Sequence, residues 1–511
     1  MRSRSTATYV LIAMTLANAM ILVDQTAVPL ALPDIMKTFD TGSKQVQWVL
    51  NCSLLPLAGL LVFAGRLGDL VGLRKVFLTG SVLFIGGSVI AGAAPSLEVL
   101  LAARVVQGTG GALMLPLTIA IVSAAFPASE SGKALGTMGG TAAVFAALGP
   151  TIGGVLTETF SWRAVLLVNV PLAAATIWMT LRFVEDHRPT KDDSAHIDLE
   201  GTVLLSITLV GLVFGLSQSA IWGWGSPGVI GPLTASVLAG VLFVFHERRA
   251  ASPLVDFGLL RERNYLGASV SQFLSGMAEI GLGVIFPLLL ILNLEMNPAL
   301  AGLALIPTTL PMIVVAPYAG RWYDRVGGRP PLVTGFLLLA VAGGLLALGV
   351  ADDRFLSLLP GLLVYGIGLS LVLSVNDPVS LDQIAPPDHG QASGVSATAE
   401  QFGGAVGIAV LYSIFHGAYL NDLEARIDRS SLPDLTATTG AALRNAFDAA
   451  EATGLRPGTF NPKVREYIAA AEQASNHGYV IVFAVVAALS LIAAGIVAWL
   501  VRKPAGQPAP S

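Results

Sequence analysis

Long apolar stretches alternate with short polar segments along the whole chain. A helix rises about 1.5 Å per residue, so roughly 20 apolar residues cross the hydrocarbon core of a bilayer. The pattern therefore predicts transmembrane helices, and we count fourteen of them. They cover residues 8–31, 46–66, 76–94, 98–123, 134–156, 164–183, 198–217, 228–246, 265–292, 299–319, 331–350, 356–378, 393–418 and 478–501.

The composition favours an all-α polytopic membrane protein over a soluble one. Hydrophobic residues make up 54% of the chain and charged residues 12%, whereas soluble domains carry roughly 25% charged residues. The six His and the single Cys have no metal-ligand spacing, so we predict no metal site. Most Lys and Arg residues fall in alternate loops, which places both termini in the cytoplasm and the chain in the cytoplasmic (inner) membrane as a multi-pass protein.

One motif occurs twice, each time in a polar loop between two apolar stretches. Residues 65–75 read GRLGDLVGLRK, and residues 320–330 read GRWYDRVGGRP, 255 positions later. Gly, Arg and Asp occupy matching positions in the two copies. Such internal symmetry predicts two related membrane halves, an architecture that is typical of secondary transporters.

The distance between the copies exceeds what six helices need, and residues 184–263 account for the excess because they contain two further predicted helices. We therefore predict two six-helix bundles, at 1–183 and 264–511, joined by a two-helix insert that lies beside them, away from the transport path. The second bundle includes a polar extracellular segment, 421–476. Helical periodicity occurs within this segment at 441–450 and 464–474.

Each copy of the repeated motif has an Asp near the end of one helix and an Arg at the start of the next. Such an Asp can bind a helix N-terminus or an Arg when the inner side is closed, and glycines let the backbones approach closely. We predict a conformational latch between the bundles, with positive-inside anchoring alone as the alternative. The latch residues are Gly65, Asp69, Gly72, Arg74, Asp324, Arg325 and Arg329.

Ionisable residues inside the predicted spans are costly and therefore indicate function. Arg104 needs a buried partner, and Asp24 is the best candidate because both fall in the outer halves of their helices; snorkelling of Arg104 to the outer surface is the alternative. Glu279 and Glu400 fall near the middle of their helices, whereas Asp377 lies at the end of its span and is interpreted as structural. We predict proton coupling through Asp24, Arg104, Glu279 and Glu400, because a carboxylate in a low dielectric can take up a proton.

Two further sets of residues are candidates for function. A glycine-rich part of the fifth span softens that helix or seals it against its neighbours, with ordinary small-residue packing as the alternative. It comprises Gly136, Gly149, Pro150, Gly153 and Gly154. Polar and aromatic residues inside spans are candidates for lining a substrate path, although such a residue taken alone is more often a helix–helix hydrogen bond, a core residue or a lipid-facing one. They are Gln25, Asn51, Gln107, Gln272, Phe286, Asn376 and Gln401.

Four of these motifs resemble those of the major facilitator superfamily, above all its fourteen-helix drug:proton antiporters. Residues 65–75 resemble the loop motif that follows the second helix, although Leu70 replaces a usual basic residue. Residues 100–108 resemble the fourth-helix motif, which implies that Arg104 handles protons.

The other two motifs resemble more restricted groups within the same superfamily. Gly136 with residues 149–154 resembles the fifth-helix motif of exporters, although Phe145 stands where Gly is usual. Residues 22–33 resemble the first-helix motif of the fourteen-helix branch, which implies importance for Asp24.

The resemblance implies a proton-coupled exporter of amphipathic drugs or antibiotics that works by alternating access, and the buried acids favour cationic substrates. No Walker sequence for ATP occurs, so we predict no cofactor and a proton gradient as the energy source. The sequence contains no catalytic cluster, so we do not expect an enzyme. We expect small-molecule substrate, protons and the lipid bilayer as partners, no nucleic acid, and a monomer. A dedicated exporter of one natural product or lipid, and a non-transporting sensor or scaffold, remain alternatives.

Overall fold

The computed structural model describes residues 4–41, 43–46, 48–186, 198–250, 253–255, 257–296, 298–352, 354–382, 384, 388–428, 442 and 467–502. In these residues the chain is helical throughout and has no strand. The long helices are α1 Arg4–Ala27, α2 Trp48–Val71, α3 Leu73–Gly92, α4 Leu97–Ala125, α5 Ala128–Thr159, α6 Asn169–Phe183, α7 Leu199–Trp222, α8 Pro227–Glu247, α9 Arg263–Leu288, α10 Ile306–Val326, α11 Arg329–Val350, α12 Phe355–Leu381, α13 His389–Asp428 and α14 Ile468–Leu500.

Shorter helical segments extend or connect these helices. They are Val28–Ala31 and Leu32–Phe39 after α1, Ser43–Val46 before α2, Trp162–Leu167 before α6, Leu259–Arg261 before α9, Leu289–Asn293 after α9 and Pro298–Ala304 before α10.

A long helix lies at each of the fourteen predicted positions. In the described part of the chain, 12 helices are long and apolar enough to cross a membrane. The count rises to 13 if α5, which is bent by 40° between Ala146 and Leu148, is taken as one span. α10 is less apolar because it contains three prolines and has Arg321, Asp324 and Arg325 in its last turns. Its crossing of the membrane, and with it the count of fourteen spans, stays a prediction.

Several predicted boundaries differ from the observed helices. The stretch 299–319 is broken at Leu305, because the helix that follows begins at Ile306 and has Pro307 in its first turn, and proline lacks an N–H group and favours a first helical turn. α13 is 40 residues long and outlasts its apolar stretch at both ends. α14 begins ten residues before its predicted start and absorbs much of the helix expected at 464–474. The helix expected at 441–450 lies outside the described residues except for Ala442.

Buried apolar side chains form separate cores in the two halves of the chain. The largest core comes from α9 to α14, with Phe336, Phe415 and Phe483 among its fully buried members. A second core is built mainly from α1 to α6 around Met14 and Phe77. The second core also takes in Leu381, Ile384 and Ala392 from the other half. The halves are therefore packed together where these residues lie.

That packed region is the end of the molecule where α2 turns into α3 and α10 turns into α11, which we call the repeat-loop end. Two helix pairs join the halves there, α2 with α13 and α5 with α10. Glycine lies at both helix contacts. A side chain on Gly65 would collide with the carbonyl oxygen of Gly390, and a side chain on Gly320 would lie 2.6 Å from the carbonyl oxygen of Gly132. The insert helices α7 and α8 lie beside the bundles, with α7 against α2 and α13.

Candidate functional site

A charged network lies inside the first half. The Arg104 guanidinium donates to Asp24 Oδ2 at 2.7 Å, and the two side chains are only 1% and 3% exposed. Gln107 and Asn169 donate to Asp24 Oδ1 at 2.9 and 3.0 Å. The Arg104 Nε also donates to the carbonyl oxygen of Val49 at 2.9 Å. Asp24 is therefore the partner of Arg104, and the alternative that Arg104 snorkels to the surface is wrong.

The ion pair of Asp24 and Arg104 has hydrogen-bond partners on five helices, α1, α2, α3, α4 and α6, and Gln107 lies at the centre of the network. Gln107 lies one turn after Arg104 on α4, accepts a hydrogen bond from it at 2.7 Å, and donates to Ser88 of α3 at 3.0 Å. Every oxygen of the Asp24 carboxylate thus has a donor, which offsets the cost of burying the charge. Sequence reasoning missed Asn169, because a lone Asn in an apolar stretch carries no motif that would distinguish it.

The second half contains a cluster of carboxylates instead. Gln272 of α9 is 2% exposed, and its amide group donates to Asp377 Oδ1 of α12 and to Glu400 Oε2 of α13, both at 3.1 Å. Glu279 lies two turns after Gln272 on α9 and interacts electrostatically with Glu400. Its Oε2 is buried and has no hydrogen-bond partner among the described residues. Asp377 and Glu400 thus share the amide group of Gln272. We had interpreted Asp377 as structural and had not predicted this contact.

Chemically, this acid cluster (Glu279, Asp377 and Glu400) differs from the Asp24 network. In the described part of the chain, no Lys or Arg forms an ion pair with any of the three carboxylates. One amide group has two N–H bonds to offer, so it cannot satisfy three charged groups. Like charges in a low dielectric repel each other strongly, and a bound proton or cation relieves that repulsion. Neighbouring carboxylates of this kind are chemically suited to bind a proton or a cation.

Three residues that we predicted to line a substrate path are packed inside the protein. Gln107 belongs to the Asp24 network. Asn376 is fully buried, accepts from Ser271 at 2.5 Å and donates to Ser275 at 3.1 Å, so its amide joins α12 to α9. Phe286 is 4% exposed and packs edge-on against Tyr365. Gln25, Asn51 and Gln401 are half-buried and Gln272 is buried in the acid cluster, and the lining role of all seven residues stays a prediction.

At the repeat-loop end, the first copy of the repeated motif binds the second half. The Asp69 carboxylate accepts from the backbone N–H groups of Gly390 at 2.9 Å and Gln391 at 2.6 Å, which are the unpaired donors in the first turn of α13. Arg66 lies 3.8 Å from Asp388, just before that turn. A carboxylate at a helix N-terminus is favourable for both hydrogen bonding and the helix dipole.

The second copy makes a related contact in the opposite direction. Asp324 at the end of α10 accepts a hydrogen bond from the backbone N–H of Lys133, in the second turn of α5. The matching glycines Gly72 and Gly327 both have positive φ angles, 114° and 83°, which glycine adopts without strain. Each Asp thus reaches the first turns of a helix in the other half.

The arginines of the two loops behave differently from their aspartates. Arg74 donates to the carbonyl oxygen of Leu181 at 2.7 Å, near the C-terminus of α6 in its own half. A cation is favourable there because the last carbonyl groups of a helix have no partner within it. The prediction that Arg74 joins the two bundles is therefore wrong for this conformation. Arg325 and Arg329 are exposed.

Another contact at this end was not visible in the sequence. The Tyr323 hydroxyl of α10 donates to Asp382 Oδ1, just after α12, at 2.6 Å. Burial raises the pKa of the Asp382 carboxyl, and the hydrogen bond from Tyr323 opposes that rise. This bond fixes the ends of two helices of the second half.

The glycines of α5 face two different partners. Gly136 and Gly140 lie against Ala316 of α10, in the other half. Gly149 and Gly153 lie against α1, where a side chain on Gly149 would overlap Thr26. Pro150 sits in the second segment of the bent helix, and Gly154 has free space beside it. α5 therefore packs closely with both halves, on either side of its bend.

Long apolar helices, two packed halves and charges buried between helices define a multi-pass membrane transporter. The sequence model of the Major Facilitator Superfamily matches residues 14–408. The chain therefore belongs to this superfamily, whose members are transporters that bind small molecules, and it is not an enzyme.

Its relatives include drug and antibiotic exporters. The chain is 33% identical over 83% of its length to the multidrug resistance protein Stp of Mycobacterium tuberculosis, covering 78% of that protein. It is 31% identical over 98% of its length to the tetracenomycin C resistance and export protein of Streptomyces glaucescens, covering 93%. It is 33% identical over 81% of its length to the puromycin resistance protein pur8 of Streptomyces alboniger, covering 83%.

Two solved structures share the fold. The human organic anion transporter MFSD10 superposes with a TM-score of 0.60 at 15% identity, over 97% of this chain and 100% of that one. The proton:xylose symporter XylE superposes with a TM-score of 0.59 at 14% identity, over 98% and 97%. At this level of identity the likeness concerns the fold alone.

Proposed function

We propose that this transporter is a proton-coupled exporter of amphipathic drugs or antibiotics, with a preference for cationic ones. The acid cluster carries the proposal, because three membrane-embedded carboxylates that have no Lys or Arg partner among the described residues can hold either protons or a cation. A proton that binds Glu400 or Glu279 displaces the cationic substrate, and a substrate that binds displaces the proton. The names of the bacterial relatives support export of toxic compounds.

The same proposal assigns a second proton-handling role to the Asp24 network. A proton on Asp24 would break its ion pair with Arg104 and release Gln107 and Asn169, which would loosen the contacts among five helices. In this way a proton taken up in the first half can change how its helices pack.

For orientation, we propose that the repeat-loop end faces the cytoplasm, together with both termini, in the cytoplasmic (inner) membrane. The Asp69 and Asp324 contacts then close the inner side, and alternating access requires that they break and re-form. We further propose two six-helix bundles at 1–183 and 264–511 with the insert 184–263 between them, a monomer, and no cofactor besides the proton gradient.

Transport in reconstituted vesicles tests the proposal. Vesicles with the protein and a pH gradient are given ethidium, a lipophilic cation, and both dye movement and proton release are recorded. We expect gradient-driven dye movement in the native protein and a loss of at least ten-fold in Glu400→Gln, which removes the charge and keeps the shape. A matched control is Glu200→Gln, which changes an exposed carboxylate at the end of the insert and leaves transport intact. Normal gradient-driven export by Glu400→Gln would contradict the assignment.

A dedicated exporter of one natural product is the second candidate. Several relatives carry the name of a single compound, such as tetracenomycin C or cephamycin. A panel of cationic, neutral and anionic antibiotics separates the two candidates: a broad exporter moves several chemical classes, whereas a dedicated one moves a single scaffold with the same proton release.

A further inference from the structure

The insert packs across the seam between the two halves. Its first helix, α7, contacts α2 of the first half and α13 of the second, the same two helices that Asp69 joins. Ser206 of α7 donates to the carbonyl oxygen of Gly59 in α2 at 2.9 Å. Val210 of α7 fills the space beside Gly59, because a Cβ atom added to Gly59 would lie only 2.8 Å from Val210 Cγ2. Any separation of α2 from α13 therefore changes the surface on which the insert rests.

Residues 253–255, the linker that follows α8 within the insert, lie at that seam, and Leu254 is buried there. Leu254 is 1% exposed and forms a small apolar cluster with Val62 of α2, Phe243 of α8 and, at its edge, Val395 of α13. One linker residue thus touches the insert and both halves. The packing of Leu254 against Val62 and Val395 favours the arrangement in which α2 and α13 are together.

Gln391 connects this linker to the latch. Its backbone N–H donates to Asp69 Oδ2 at 2.6 Å, and its side-chain amide donates to the carbonyl oxygen of Leu254 at 2.5 Å. The side chain is 2% exposed, so water does not compete for either bond. A single residue at the start of α13 therefore binds α2 with its backbone and the linker with its side chain.

Glu247 fixes the other side of the linker. It is the last residue of α8, is 3% exposed, and its Oε1 accepts from the backbone N–H of Val255 at 2.8 Å. A buried carboxylate needs such donors to offset the loss of water. The bonds run without interruption from α8 through the linker and Gln391 to α13 and Asp69.

We propose that the insert is a third component of the gate at the repeat-loop end, with Glu247 and Gln391 as positioning residues that hold the linker across α2 and α13 in the closed state. This rests on the alternating-access function proposed above. Opening of this end moves α13 away from α2, so it must break the bond of Gln391 to Leu254 or extract Leu254 from its cluster. The insert therefore stabilises the closed state, although it lies outside both bundles.

Distances across the gate test this proposal. Spin labels are placed at Val71→Cys and Pro330→Cys, two exposed sites in opposite halves, in a Cys52→Ser background, and distances are measured by pulsed electron paramagnetic resonance in lipid nanodiscs without substrate or gradient. We expect Glu247→Leu to raise the ratio of open to closed molecules about five-fold, the effect of one buried hydrogen bond. Glu247→Gln retains an acceptor oxygen, and Glu158→Leu changes an exposed carboxylate near the C-terminus of α5, so both keep the native ratio.

Gln391→Leu provides a second route to the same answer, because it removes only the side-chain donor and keeps the backbone bond to Asp69. If Glu247→Leu does not fold, the distances in Gln391→Leu alone decide whether the linker stabilises the closed state. A native distance distribution in folded Gln391→Leu and Glu247→Leu would overturn the proposal. Because no gradient is applied, failure of proton coupling does not affect this test. A single short distance in the native protein under all substrate and pH conditions would instead overturn alternating access and the gate with it.

Discussion

At the residue scale, the two halves treat buried charge in opposite ways. Asp24 has three donors, one of them cationic, so its charge is compensated within the protein. Glu400 shares the amide donor of Gln272 with Asp377, and Glu279 Oε2 has no hydrogen-bond partner among the described residues. An ion pair with full hydrogen bonding tolerates burial, whereas neighbouring acids without a base become stable only when they bind a proton or a cation.

The Asp24 network predicts an unequal response to loss of its two charges. Arg104→Met leaves the Asp24 carboxylate buried without its cation, which costs about 3–5 kcal/mol. Asp24→Asn retains polar contacts with Gln107 and Asn169, although it leaves Arg104 without a counter-ion. We expect both variants to melt earlier than the native protein in nanodiscs, and the double variant Asp24→Asn/Arg104→Met to recover part of the loss. Additive effects of the two single changes would contradict an energetic link between the residues.

Gly149 and Gly154 allow a matched test of close packing in α5. Alanine at Gly149 would overlap Thr26 of α1, whereas alanine at Gly154 has its first contact 3.8 Å away, at Leu30. Overpacking costs about 1–3 kcal/mol, so Gly149→Ala should lower the melting temperature while Gly154→Ala should keep it. Both changes make the helix stiffer by the same amount, so an equal effect on melting would show that flexibility, not contact, is the function of Gly149.

At the element scale, the repeated loops reveal which part of a motif acts between halves. The aspartates reach across to α13 and α5, while Arg74 binds α6 in its own half. Sequence symmetry predicted that the loops act together, because both copies have the same residues at the same spacing. It could not separate these roles, because the spacing along the chain does not fix which helix end a side chain meets.

Loss of Asp69 should open the repeat-loop end. Asp69→Ala removes two hydrogen bonds from a charged acceptor, each worth about 1.5–3 kcal/mol, and leaves the start of α13 uncapped. Ser123, which contacts His389 at this interface at 3.2 Å, serves as the reporter through Ser123→Cys in a Cys52→Ser background. We expect at least ten-fold faster labelling by a maleimide in Asp69→Ala. Arg74→Ala, in the same loop, should leave the labelling rate unchanged, and equal rates in the two variants would refute this division of roles.

At the scale of the whole molecule, the halves are packed together at the repeat-loop end, so we expect solvent to reach the half-buried Gln401 from the opposite side of the membrane. We expect Gln401→Cys, in a Cys52→Ser background, to be labelled by a membrane-impermeant maleimide added outside cells. Asn376→Cys should stay unlabelled, because that position is fully buried between α12 and α9. A difference of about ten-fold in labelling separates the two positions. Labelling of Gln401→Cys only from the cytoplasmic side would reverse the proposed orientation.

The sequence by itself determined the class of this protein, because apolar stretches of membrane length, a repeated loop and costly buried charges are local properties of the chain. It also selected Asp24 for Arg104, since both had to lie at the same depth. Only the tertiary structure decided that Asn169 joins this pair, that Gln272 serves two acids, and that Asn376 joins α12 to α9. These facts depend on the rotation of each helix about its axis and on its neighbours, which a nearly uniform apolar sequence does not encode. For the same reason, the contact of the insert with Gln391 appears only in the folded molecule, where residues 137 positions apart meet.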